Sequence, residues 1–250
     1  MFMVLAFLGC ASVGEAQFDQ GLDALRTGDS SSALVHFKAS LDAGANDPGV
    51  YHGLGNALYR LDREAEAAAA WRRGLALDPR NGDIAANLDW VRKRFADRLE
   101  PPALHREAFF WQSFLAPLET AALGAVSLSL GFWLLVWGRI RVLRSRASPG
   151  TNSRIAVLFM LTLGAILVLS SLDAVGHRRG AVVIVDEVDV RSTLGPSGVS
   201  LFVLHAGAEV AIEDQTETHR LLVLADGRKG WVNAKALLST DPEHPFVMTE

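Results

Sequence analysis

The residues best suited to chemistry in this 250-residue chain are seven histidines and a single cysteine, Cys10. Metal binding needs several ligands converging, and acid–base work needs a partnered histidine. His36, His52 and His205 have no neighbour at metal-ligand spacing, and Cys10 lies in an apolar leader. No G-x-S-x-G, H-E-x-x-H or phosphate-loop pattern occurs. The sequence therefore predicts no catalytic residue, no cofactor and no metal. Two carboxylates, Glu119 and Asp173, sit in otherwise apolar stretches. One reading is a paired acidic site for a proton or cation within a bilayer; their place near the ends of the stretches favours the other, that both reach interfacial water.

What remains is recognition chemistry, and elements must position it. "YHGLGNALYR", residues 51–60, carries two glycines in a helical pattern, although glycine costs a helix about 1 kcal/mol relative to alanine. An internal repeat accounts for them. Residues 48–81 read Tyr51-x2-Leu54-Gly55-x2-Leu58, then Ala67-x3-Trp71, then Pro79, which resembles the 34-residue tetratricopeptide pattern. One period earlier stand Gly21, Ala33, Phe37 and Ser40. One period later stand Ala85 and Leu88, before "PP" at 101 and 102 stops the pattern. The expectation is two helix pairs and a solvating helix over about 82–99, forming a domain over 17–100. Gly55 and Ala67 should lie where paired helices cross, with Trp71 supplying bulk and Pro79 following the second helix.

The resemblance implies a concave face built from first helices, carrying His52, Asn56, Tyr59, Arg60, Asn87, Trp90, Lys93 and Arg94. Peptide-binding members hold a ligand backbone or terminal carboxylate with asparagines at two such positions. Asn56 and Asn87 match them, and an amide offers donors and an acceptor together. Arg60 and Lys93 would attract an acidic peptide end. The bland alternative is that these side chains only solvate the groove, with Trp90 covering the end of the stack.

Residues 1–16 are apolar but too short to cross a bilayer core. They suit a signal peptide cut after Gly14-Glu15-Ala16; lipidation at Cys10 and a retained anchor remain alternatives. An aromatic cluster, "AFFWQSF" at 108–114, precedes two apolar runs, 115–138 and 155–176, expected to be transmembrane helices. The segment between them, 139–154, carries Arg139, Arg141, Arg144, Arg146 and Arg154 with no acid, which marks it cytoplasmic. Both flanking regions should then be extracytoplasmic, in the periplasm of a bacterial inner membrane. Arg178 and Arg179 are a weak contrary sign.

Residues 180–239 switch to short β-branched runs with a hairpin signal at Asp226-Gly227. Five strands in a small closed barrel are expected. "VDVRSTLGPSG", "LHAGAEV" and "LADGRKGWV" resemble bacterial SH3-like domains. That resemblance implies turns at Gly207 and Gly227, Val188 and Val190 facing the core, and Trp231 packing or lining a groove. Family members commonly carry tryptophan where this chain has His219. From 180 to 250 there are 11 acids against 5 Lys or Arg, which disfavours an anionic polymer as ligand. Residues 240–250 read as a tail.

The order of parts resembles the BatE family of the bacterial aerotolerance operon. The overall class is thus a multidomain membrane protein with all-α repeats, a transmembrane hairpin and an all-β barrel. The resemblance implies a non-enzymatic membrane-anchored scaffold beside von Willebrand A-domain membrane proteins and MoxR-type ATPases, in aerotolerance or envelope stress. No nucleic-acid partner is expected at a net charge of -4. The alternative is a wall-binding subunit that positions a separate peptidoglycan enzyme.

Overall fold

Asp29, Asp47 and Asn81 start three helices by accepting backbone N–H groups that the first turn leaves unpaired. Asp29 accepts from Ser32 N at 2.9 Å, Asp47 from Gly49 N at 2.7 Å and Asn81 from Ile84 N at 3.1 Å. Each such cap contributes about 1 kcal/mol. In the computed structural model, the described residues are 2–97, 115, 117–145, 151–176, 180–194, 198–224, 226–241 and 246. Side chains of residues 2–12 and 172–176 lie outside the description, Cys10 and Asp173 among them. So do residues 98–114, Arg146, Arg178, Arg179 and most of the 240–250 tail.

The chain divides into two compact units: residues 1–107 with 178–250, and residues 108–177. The first begins with five helices: α1 (Phe2–Thr27), α2 (Ser30–Asp42), α3 (Pro48–Arg60), α4 (Glu64–Leu77) and α5 (Gly82–Arg92). α1 and α2 form one antiparallel pair, α3 and α4 the next. Gly28 and Asp62, one repeat length apart, turn each pair with left-handed φ of 85° and 60°.

The two glycines of α3 have separate reasons. A methyl group built on Gly55 would stand 2.8 Å from Cε2 of Trp71, its partner within the helix pair. One built on Gly53 would stand 2.6 Å from Cε1 of Phe37, a fully buried ring of the preceding pair. Gly21 meets the same Phe37 ring at 2.7 Å, repeating the Gly55–Trp71 crossing. Helices whose partner residue is large and buried approach closely only where no Cβ intervenes.

Two boundaries differ from expectation. α1 continues unbroken across Ala16, and Ser40 Oγ donates to Gly14 O at 2.8 Å. The expected leader and the first helix pair therefore share one helix. α5 stops at Arg92 instead of reaching 99, because Phe95 and Asp97 turn away to pack on the β module.

Among the described residues, that module has seven strands, β1 (Gly180–Val183), β2 (Glu187–Arg191), β3 (Ser200–His205), β4 (Glu209–Gln215), β5 (His219–Val223), β6 (Lys229–Asn233) and β7 (Leu237–Ser239). They pair antiparallel in the order β3-β2-β6-β5-β4-β1-β7. The expected five strands are thus seven, and among the described pairings β3 and β7 are edges; ladder closure is not one of them. Gly207 and Gly227 do turn the chain, at φ of 88° and 86°. Val190 is fully buried and Val188 packs beside it in the module core.

The described residues of the second unit form a helical hairpin, α6 (Pro117–Ser145) and α7 (Thr151–Gly176). Gly124 and Gly164 let the backbones approach, and Ser127 Oγ donates to Met160 O at 2.9 Å. Leu118–Arg144 and Ser153–Ser171 have mean hydropathies of 1.7 and 2.1, and both are long and apolar enough to cross a membrane. Most of their side chains are left unburied within the structure. The expected loop 139–154 is largely helix: Arg139, Arg141 and Arg144 extend α6, and Arg154 lies on α7. Leucine and arginine are good helix formers, so nothing ends α6 where its apolar run ends.

Candidate functional site

His52, Asn56 and Tyr59 recur on one face of α3 at spacings of four and three residues, and α5 brings Asn87 and Trp90 against them. Asn87 Nδ2 donates to Asn56 Oδ1 at 3.1 Å and approaches His52 Nε2 at 3.3 Å. Trp90 Nε1 donates to Tyr59 OH at 3.2 Å, with Trp90 61% exposed. Burial pushes the His52 imidazolium pKa down, against a smaller opposing pull from Asp83. The neutral ring accepts at Nε2. These bonds leave Asn56 Nδ2 to donate and Asn87 Oδ1 to accept. One donor beside one acceptor is the complement of an extended peptide unit.

Residues 48–81 match the tetratricopeptide repeat family. No curated protein and no solved structure matches the chain. A repeat of this kind is a protein-interaction scaffold, and proteins that carry it are typically non-enzymatic adaptors. Within the matched repeat, Ala67 is fully buried and Trp71 nearly so. Pro79 follows the end of α4 in a turn closed by Asn81 N donating to Asp78 O at 3.2 Å.

Two charges expected in the groove have structural partners. Arg60 Nη1 donates to Leu25 O at 2.8 Å, tying α3 to the C-terminal turn of α1. Lys93 Nζ, just past the end of α5, lies 2.7 Å from Asp89 four residues earlier. The Lys93–Asp89 pair has the i,i+4 spacing that sequence can show, whereas the Arg60–Leu25 bond depends on which carbonyl the side chain meets in space.

On the β module, His219 and Trp231 fall on the same outer face. His219 stands opposite Asn233, and Trp231 opposite both Leu221 and Arg191. Trp231 is half-buried between strands. His219 Nδ1 and Thr218 Oγ1 lie 2.9 Å apart, and the His219 N–H donates to Thr216 Oγ1 at 3.0 Å.

Sequence reasoning missed the joint between repeats and β module. Glu209 at the start of β4 receives a two-pronged hydrogen bond from Arg92, the Nη2–Oε2 arm at 2.7 Å, with Arg72 Nε at 3.4 Å. Burial pushes the Glu209 pKa up, but the Arg92 hydrogen bonds and the two positive charges outweigh it and hold it below the usual value. Asp97 accepts from His205 N at 2.6 Å, and Phe95 covers Gly207. Arg73, nearly fully buried on α4, packs against the edge-to-face pair of Tyr51 and Phe246, 5.1 and 5.4 Å from their ring centroids. Its burial lowers the guanidinium pKa. The strongest element of the joint is β1. Its side chains alternate between two cores: Ala181 and Val183 enter the module core, and Val182 enters the repeat core with Leu238 of β7. "AVVIV" carried a signal for this, since an unbroken apolar run marks a strand covered on both faces.

Proposed function

We propose that this protein is a membrane-anchored scaffold whose α3–α5 groove holds an extended segment of a partner protein. The observation that carries this reading is the Asn87–Asn56–His52 cluster, formed between α3 of the matched repeat and the helix that follows it. The residual donor and acceptor are held before a ligand arrives, so little ordering is required on binding. Tyr59 and Trp90 supply apolar area beside them. With Arg60 engaged by Leu25 and Lys93 by Asp89, the groove reads the peptide backbone and an apolar side chain more than negative charge.

The hairpin α6–α7 crosses the membrane, and the repeats and β module share the compartment opposite the arginines. Sparse burial of two long apolar helices supports this, as does the arginine asymmetry. The order of parts, which resembles the BatE family, suggests an extracytoplasmic location and partners among von Willebrand A-domain membrane proteins, served by a MoxR-type ATPase.

The test is cross-linking in native membranes followed by purification of the parent and of the Asn56→Ala/Asn87→Ala variant. Partner recovery should fall at least ten-fold in the variant while its melting temperature stays within about 2 °C, since both sites are on a groove surface. Equal recovery would remove the groove as the binding site. A topology reporter after Glu250 that is active only inside the cell would remove the compartment assignment.

A further inference from the structure

Trp133, Trp137, Arg141 and Arg144 follow one another at helical spacings of four, four and three residues, so α6 presents them on one face. The two indoles stack, with centroids 5.5 Å apart and planes 19° apart. Both are more than half exposed, and both arginines are exposed. At 1.5 Å per residue, Arg141 lies about 6 Å and Arg144 about 10 Å beyond Trp137 along the axis. The polar layer of a bilayer is about 5–7 Å deep on each side of the hydrocarbon core. Indoles at the edge of that core therefore put Arg141 at the phosphate level and Arg144 just above it. Residues 139–154 contain five arginines and no acid.

We propose that this stripe is a binding site for an anionic phospholipid. The arginines donate to the headgroup phosphate, and the stacked indoles cover the upper acyl chain and glycerol. A guanidinium fits a phosphate two-pronged, and a cytoplasmic leaflet supplies anionic headgroups. The inference rests on reading α6 and α7 as spans.

The experiment uses the full chain in detergent micelles and native mass spectrometry with phosphatidylglycerol or phosphatidylcholine added. Each arginine near a charged headgroup contributes roughly a five-fold preference, so two give about 25-fold for phosphatidylglycerol. Arg141→Gln/Arg144→Gln should remove that preference with helix content unchanged by circular dichroism. Arg139→Gln, on the other side of the helix, should keep it. Equal retention of the two lipids by the parent overturns the site. So does an equal loss in Arg139→Gln, which would mean diffuse attraction only. Displacement of phosphatidylglycerol by millimolar inorganic phosphate would assign the stripe to free phosphate and overturn the lipid as occupant. Carbonate extraction of native membranes separates the two layers of the argument. A chain released by carbonate refutes the spans themselves, whereas a retained chain without lipid preference refutes only the site.

Discussion

Gly53→Ala is the sharpest perturbation of the fold. In an unencumbered helix this change adds about 1 kcal/mol of stability. Here the new methyl would stand 2.6 Å from Cε1 and 2.9 Å from Cε2 of Phe37. Phe37 cannot move aside, being fully buried and held on its other flank by Gly21 and Phe18. Overpacking of this kind costs about 1–3 kcal/mol. The clash should exceed the propensity gain, leaving a net loss of about 1 kcal/mol. For a folding unit of this size, that lowers the melting temperature by about 2–4 °C. Gly82→Ala is the control, because a methyl there meets nothing within 4 Å. It should leave the melting temperature level or raise it. Tryptophan fluorescence during heating of the detergent-solubilised chain gives both values. Phe37→Leu completes a double-mutant cycle: a smaller ring space relieves the clash, so the double variant should be about 1 kcal/mol more stable than additivity predicts. A Gly53→Ala variant as stable as the Gly82→Ala one, or a cycle with no coupling, would refute the reasoning.

Three further outcomes follow from the geometry. Asp62→Val should lose about 1–2 kcal/mol by forcing a β-branched residue to a φ of 60°, while Asp62→Gly should not; chemical denaturation distinguishes them. Glu209→Gln should lower stability by about 1–3 kcal/mol, because charged hydrogen bonds at the joint are weakened. Glu209 has a depressed folded pKa, so its contribution is present above the unfolded value near 4.5 and is lost as pH falls through the folded one; the variant should show a flatter acid limb in melts across pH 3–6. His52 also titrates low in the fold, so protonation opposes folding. Stability should decline as pH drops below about 6.5, and His52→Gln should remove that part of the decline.

The repeat was legible because its requirements are local and periodic: a glycine facing an aromatic sixteen residues on, twice, at one spacing. Gly53 was not, since its partner Phe37 belongs to the preceding pair and breaks the period. Asn56 and Asn87 were placed on one face by the resemblance to tetratricopeptide repeats, and the two side chains hydrogen-bond to each other. What spacing could not reveal is that Asn87 spends its donors on Asn56 and His52. Glu209 and Arg92 were invisible for a different reason. They lie 117 residues apart, across the whole hairpin, and no periodic signal links them. Arg139, Arg141 and Arg144 fall on helix because the apolar run ends before the helix does, which hydropathy alone does not mark.

The dual-facing strand β1 constrains the course of the chain. Val182 and Leu238 complete a core begun by residues before 100, so the polypeptide that departs after Asp97 must come home to finish it. Any excursion through a barrier must therefore be a round trip. On the proposed reading of α6 and α7 as spans, deleting either helix alone strands the two halves of one core on opposite shores, whereas deleting both keeps them on one side.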